Sequence, residues 1–455
     1  MKRSRIISLL LIIALMISML AACAREEEPA NQGTPDQGNV GTPDQGGSQT
    51  ARPGQPDVIA QGVTDTTIKI GTISLVGGFW AFIGKPAYDG FRACVARLNA
   101  QGGVQGRQVE LIAYDDQWDA AVGKTTIERF VEQDKVFMLA SLGGNIVETS
   151  LDYLHNWGIP VINISSGLDI LYEQYNPQSR IFQVQPGNMT DARYLIVRTL
   201  HEPIFGPNKN EKLPSTAKIG VIHGVDAASM DSLAHLLDMA EQEGASDRII
   251  TEGVTFDTFP TAIQKFRNND VEVVIFMGIY STEWIAAMDD AMWEVPVVFS
   301  YGASTLQSFV PDTYKPARPC YATVWGDYGT AEGQAMLDDM LDALSYLPDV
   351  SEAERLAYRD NNYCVAGYAY GMALAIALER YNKYEGEYGL NWDDFVTIME
   401  LEPFHLGGIT FDYMNGKRMG IDTMAFLEYI GEPDTGHEYM VSLFPFETLD
   451  QIREK

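Results

Sequence analysis

Leu98-Asn99-Ala100-Gln101-Gly102-Gly103-Val104-Gln105-Gly106-Arg107, running on into Tyr114-Asp115-Asp116, decides the fold. Before it, Gly84 to Ala100 carries apolar residues at helical spacing: Ala87, Phe91, Cys94, Val95 and Leu98. Glycines at 102, 103 and 106 punctuate the chain, and Gln108 to Tyr114 then reads as a strand. Upstream, Thr67-Ile68-Lys69-Ile70-Gly71-Thr72-Ile73 is another strand, ending in the turn Gly77-Gly78. Strand, helix, tight turn and strand form the βαβ unit of a parallel sheet.

The alternation continues outward. Helix Ala120 to Gln133, strand Val136 to Ala140, helix Ile146 to Asn156 and strand Pro160 to Ile164 complete one series. A second begins after Pro214: strand Ala217 to His223, helix Ser229 to Gly244, strand Arg248 to Thr255 and helix Thr261 to Asn268. Strand Val271 to Met277, helix Ser281 to Met292 and strand Pro296 to Ser300 follow. A long helix is expected at Ala366 to Tyr381, and the tail from Ile409 supplies further packing elements. The predicted class is α/β, with two Rossmann-like lobes built on parallel sheets covered on both faces. Ligands of open α/β sheets sit outside the carboxyl ends of the strands. A cleft is therefore expected among the loops at 74–82, 141–145, 164–168, 224–229, 278–282 and 300–304.

The first 62 residues read differently. Lys2, Arg3 and Arg5 precede an apolar core from Ile6 to Met19, too short for a comfortable membrane span. Leu20-Ala21-Ala22-Cys23 resembles the lipobox of bacterial lipoproteins, which implies a leader over 1–22 and a diacylglycerol on Cys23. From Ala24 to about Gly62 the chain is rich in Gly, Pro, Gln, Asp and Thr, and Gly33-Thr34-Pro35-Asp36-Gln37-Gly38 recurs from Gly41. Such a segment cannot bury enough surface to offset its ordering entropy, so 23–62 is expected to be a disordered tether reaching roughly 35 Å.

The formal charge of −30, more acidic still without the leader's cations, argues against nucleic acid and anionic headgroups as partners. With Cys23 lipidated, Cys94, Cys320 and Cys364 remain; one bridge, for instance Cys320 to Cys364, stays open. The histidines show no paired metal-ligand spacing, and His201-Glu202 meets Phe205 where a zinc motif needs its second histidine. Gly123-Lys124-Thr125 ends like a phosphate loop, but Trp118 replaces the required glycine. No nucleophile elbow appears. Asp115 and Asp116 are adjacent at a strand end, a placement suited to turns and caps. No catalytic constellation, cofactor or metal is expected.

The stretch from Leu98 to Arg107 with Tyr114-Asp115-Asp116 resembles the leucine/isoleucine/valine-binding (periplasmic binding protein type 1) solute receptors of ABC importers. Gly158-Ile159-Pro160-Val161-Ile162, Phe276 to Tyr280 and Gly408-Ile409-Thr410-Phe411-Asp412 with Gly416 extend it over roughly 66 to 430. The resemblance implies two lobes joined by a three-strand hinge: 63–190 with 328–411, and 191–327 with 412–455. It implies an extracytoplasmic monomer that is not an enzyme, closing on an amino acid, amide or related acid and delivering it to a permease in the same membrane. A ligand sensor or co-receptor of the same fold, or a cell-surface enzyme, are the alternatives.

The expected ligand-binding residues are Gly78, Phe79, Trp80, Ser141, Gly144, Asn145, Ser165, Ser166, Asp226, Tyr280 and Tyr301. Backbone N–H groups and helix N-termini would take a carboxylate, hydroxyls would add donors, and aromatic walls would hold an apolar body. Two departures stand out. Gly144 occupies the family's usual serine position, and the turn Phe299-Ser300-Tyr301-Gly302-Ala303 lacks the carboxylate that would face an α-ammonium. Asp226 is open as its substitute, or as the cap of the helix near Ser229.

Overall fold

The computed structural model describes residues 60–78, 80–172, 179–278, 281–302, 318–430 and 440–455. The first series is β1 (Thr67–Ile73), α1 (Ala81–Ala100), β2 (Gln108–Tyr114), α2 (Ala120–Glu132), β3 (Met138–Gly143), α3 (Gly144–Trp157), β4 (Val161–Ser165) and β5 (Ile181–Phe182). Next come α4 (Asn188–His201), β6 (Lys218–His223), α5 (Ala227–Gln242), β7 (Ile249–Gly253), α6 (Phe259–Asn268), β8 (Val271–Phe276), α7 (Ser281–Asp290), β9 (Val297–Phe299) and β10 (Cys320–Val324). The remainder is α8 (Ala331–Leu344), α9 (Glu352–Ala357), α10 (Asn362–Lys383), α11 (Trp392–Glu400), β11 (Phe404–Leu406), β12 (Ile409–Phe411), β13 (Met424–Tyr429), β14 (Met440–Glu447) and α12 (Leu449–Arg453).

The opening turn shows why this sequence folds here. Gly103 N–H donates back to Leu98 O at 2.9 Å, and Gly102, Gly103, Gln105 and Gly106 all have positive φ. A Cβ on Gly103 would sit 2.0 Å from Arg107 O, so the reversal needs glycine. Asn99 fastens the new strand by accepting from Val109 N (2.7 Å) and donating to Val109 O (2.8 Å). β2 then pairs in parallel with β1 in unbroken register from Thr67–Gln108 to Ile73–Tyr114.

The first sheet runs β2-β1-β3-β4-β5 and is parallel throughout. The second runs β14-β13-β10-β9-β8-β6-β7, parallel from β10 to β7. Its β13 and β14 are the antiparallel strands of an otherwise parallel sheet. β13 comes in from the last passage, at 412–423, and pairs antiparallel with β10. Among the described residues the chain passes between the two sheets three times, at 183–187, 325–330 and 412–423. The first and third passages are tied together: Gln183 N–H donates to Arg418 O at 2.8 Å, and the Tyr413 hydroxyl donates to Gln183 O.

Glycine also sets the main helix crossing. A Cβ on Gly90 would lie 2.2 Å from Cys364 O, and one on Gly367 would lie 1.9 Å from Ala87 O, so α1 and α10 meet backbone to backbone. Gly123 serves α2 in the same way, since its Cβ would strike Ile146 of α3 at 2.4 Å. A packing role therefore accounts for the glycine of Gly123-Lys124-Thr125.

The body begins before residue 63. Ala60 N–H donates to Leu390 O (2.9 Å), Gln61 Nε2 to Val136 O (3.0 Å), and Gly62 fits where a Cβ would meet Phe137 N at 2.2 Å. The tether boundary at 62 is corrected to this extent. Cys94, Cys320 and Cys364 are free and buried; Cys320 belongs to the core of the second sheet, Cys364 to that of the first. The bridge left open between those two is not formed. Cys23 and the leader lie outside the described residues. Among the described residues, no helix is long and apolar enough to cross a membrane.

Candidate functional site

The carboxyl ends of the parallel strands and the three passages bring a set of side chains together between the sheets. Tyr301 follows β9, and its hydroxyl donates to Pro186 O at 3.1 Å. Gln185 Nε2 lies 3.4 Å from that hydroxyl, and Gln185 Oε1 accepts from the Tyr370 hydroxyl of α10 at 2.8 Å. This seam runs from the second sheet, through the first passage, to a helix of the first lobe. Trp325, in the second passage, stacks on Tyr370 with ring centroids 6.4 Å apart and planes 6° apart. It packs against the cores on both sides.

Asp191, in the first turn of α4, lies under Tyr301 and is 8 % exposed. Its Oδ1 accepts from Thr323 Oγ1 (2.7 Å) and from Tyr301 N–H (3.4 Å). Burial pushes the carboxyl up to about 7, and the bonds from Thr323 and Tyr301 oppose that rise only in part. The carboxylate missing from the Phe299–Ala303 turn is thus present in space, contributed from 110 positions upstream.

On the first lobe, Gly78 adopts φ 68° in the loop after β1. Trp80 follows it, half-buried, with its ring 6.4 Å from Phe82 and 5.5 Å from Trp118. Phe82 and Trp118 are 58 % and 41 % exposed, so an aromatic patch lies open where β1 and β2 end. Asp115 and Asp116 shape that region as turn residues: Asp115 accepts from Gly77 N–H at 2.6 Å, and Asp116 from Trp118 N–H at 3.2 Å. Ser141 holds a left-handed φ of 53° inside β3, a strained conformation of the sort that gathers at functional sites.

Helices α1 and α3 begin at Trp80 and Gly143 without a side-chain cap, whereas Asp119 caps α2 and Thr330 caps α8. The uncapped N–H groups stand at the carboxyl ends of β1 and β3. Gly144 and Asn145 open α3, and Ser165 ends β4; their side chains lie outside the described residues, as do Phe79 and Tyr280 as a whole. Ser166 serves its own loop, its Oγ accepting from Leu168 N–H (3.3 Å) and its carbonyl from the Tyr172 hydroxyl (2.8 Å). Asp226 caps α5, accepting from Ser229 N–H (3.0 Å) and Ser229 Oγ (2.7 Å); those bonds hold its carboxyl below the usual range against the opposing pull of burial. Of its two open roles, this is the capping one.

Sequence reasoning missed Asp191, Gln185, Tyr370 and Trp118. Gln185 meets Tyr370, and Asp191 reaches Tyr301, only through contacts between distant parts of the chain, and no spacing along it signals them.

The sequence pattern of the periplasmic binding protein family matches residues 67–389. The leucine-specific-binding protein of Salmonella typhimurium is 22% identical over 229 residues, covering 49% of this chain and 57% of that protein. The Leu/Ile/Val-binding protein of Escherichia coli is 20% identical over 219 residues, covering 47% and 55%. The matched stretch thus spans little more than half the length of these relatives. Among solved structures, a fatty acid ABC transporter substrate-binding protein from Thermomonospora curvata superposes with a TM-score of 0.66 at 14% identity, covering 88% of this chain and 96% of that one. A branched chain amino acid ABC transporter protein from Thermus thermophilus with bound valine gives 0.65 at 12% identity, covering 86% and 99%. At such identities the likeness is one of fold.

Proposed function

This chain belongs to the periplasmic binding protein family, and we propose that it is the extracytoplasmic solute-binding receptor of an ABC importer. Family membership implies solute binding and an extracytoplasmic location. In our reading Cys23 carries the lipid anchor and the stretch from 23 up to the packed Ala60 forms the tether. The lobes are 63–190 with 328–411 and 191–327 with 412–455, the protein is monomeric, and a permease in the same membrane is its partner.

The observation that carries the reading is the seam of Tyr301, Gln185 and Tyr370 across the passages, with Asp191 beneath it. Closure on a small molecule needs groups from both sheets converging at strand ends, and this seam supplies them. The uncapped N-termini of α1 and α3, with Gly78, Ser141, Gly144, Asn145, Ser165 and Ser166 nearby, would receive a carboxylate or amide oxygen. Phe79, Trp80, Tyr280 and Tyr301 would enclose an apolar body. Asp191 would face a ligand amine, which favours an amino acid or amino amide over an uncharged compound. No group is needed to break a bond, so the protein would release its ligand unchanged. The ligand shifts closure only by its differential affinity for the closed form.

A thermal-shift screen of the whole chain against amino acids, amides and their desamino analogues tests this. A true ligand stabilises by RT ln(1 + [L]/Kd), about 2.7 kcal/mol at a hundredfold excess over Kd. Tyr301→Ala should weaken that ligand by at least about tenfold, roughly 1.4 kcal/mol. A screen in which nothing stabilises the protein removes the receptor reading.

A further inference from the structure

Away from the seam, the lobes touch through titratable groups that the ligand reading does not use. Asp169 lies in the short turn after β4 of the first sheet, and His235 lies midway along α5 of the second lobe. His235 Nε2 is 2.7 Å from Asp169 Oδ2 and 3.7 Å from Asp231 Oδ1. Both partners of the closer pair are about three-quarters buried, with side chains 24% and 27% exposed. Asp169 Oδ1 is enclosed and has no hydrogen-bond partner, so among the described residues His235 is the only ion-pair partner of this carboxylate. Bonds from Asn188 flank the pair: Asn188 N–H donates to Gly167 O at 2.7 Å, and Asn188 Nδ2 donates to Ala228 O (3.2 Å) and Asp231 Oδ2 (3.1 Å).

We propose that His235 and Asp169 form a proton-operated latch between the lobes, holding them together when the imidazole is charged and releasing them when it is neutral. The charged groups facing the imidazole are Asp169 from the turn, Asp231 from its own helix and Arg193 from α4. The Asp169 carboxylate 2.7 Å away is the largest influence and raises the imidazole above its ordinary 6.5; burial and Arg193 oppose it, and Asp231 adds to it. Separated lobes would return the imidazole toward its ordinary value. The latched form therefore binds the proton more tightly. Its advantage is complete below about pH 6.5 and fades as pH rises through the raised latched-state value.

The latch rests on lobes that move about the passages, as the receptor reading does, but not on any ligand, so its test is ligand-free. Small-angle scattering of the whole chain, in buffer containing EDTA, should show a larger radius of gyration at pH 9 than at pH 6. His235→Gln should be expanded at both pH values, and Asp169→Asn should lose the pH dependence. The His235 ring titration, followed by NMR, should fall toward 6.5 in Asp169→Asn. A wild-type radius that does not change with pH overturns the latch, as does a change that survives both substitutions. EDTA guards against one alternative, since the three groups offer atoms within 4.8 Å of one another that a metal ion could bridge. Compaction that needs added divalent metal overturns the latch in favour of such a bridge. Failure here leaves the ligand screen untouched, and failure of that screen leaves the scattering result standing.

Discussion

Replacing Asp191 by Asn isolates the energetics of the seam without a ligand. Asn keeps an oxygen for Thr323 Oγ1 and Tyr301 N–H and removes only the ionisation. In the folded chain the carboxyl titrates near 7 against an ordinary 3.8. Its folded value is raised, so the native state holds the proton more tightly than the unfolded chain. Folding is then favoured most below the ordinary value, and stability falls as pH climbs through 4 toward 7. A rise of about three units at about 1.4 kcal/mol each gives roughly 4 kcal/mol at most. The variant should differ little from wild type at pH 4.5. By pH 8 it should melt higher by up to about 5 °C for a chain of this size. Calorimetry or near-ultraviolet dichroism across pH 4.5–8 measures the difference, and general acid effects cancel because both proteins share them. Melting curves that stay parallel across the whole range refute the burial-raised carboxyl.

Other perturbations separate structure from site. Arg198→Met strips the fully buried Glu202 of its guanidinium partner and should cost about 3–5 kcal/mol in urea unfolding; adding Glu202→Gln should recover much of it. Gly90→Ala drives a methyl into Cys364 O and should cost about 1–3 kcal/mol, seen as a lower Tm, whereas a neutral result would mean α1 and α10 have room between them. Asp226→Ala should lose about 1 kcal/mol through its cap while leaving ligand affinity unchanged; a large affinity loss would return Asp226 to the site.

Much of the architecture is written in local chemistry. The turn at 102–106 needs its glycines, Asn99 grips the following strand, and the parallel strands carry short apolar runs bounded by helices, so periodicity finds them. Helix α4 escapes because its buried face includes Asp191, Arg198 and Thr199, and the apolar stripe is broken. Strands β13 and β14 escape because their place is set by the third passage, not by their own sequence. The candidate site divides the same way. Trp80 and Tyr301 follow strands and Ser141 lies near the end of one, so they can be found by counting, but Asp191 reaches Tyr301 only through the packing of α4 against the second sheet. An Asp at a helix start reads as a dipole partner, and its burial is invisible until the fold is built.

The crossing of α1 and α10 also governs the order in which the molecule can be completed. Phe91, Cys94 and Leu98 lie in a core closed by a helix that starts only at Asn362, and the second sheet lacks its edge until Met424 to Glu447 is present. A chain moving N-terminus first through an export channel would therefore carry uncovered apolar faces for most of the passage. Such long-range closure is slow, and prone to wrong partners when crowded. It would also keep such a chain from compacting ahead of the channel, since the first core stays open until the late return to the first lobe.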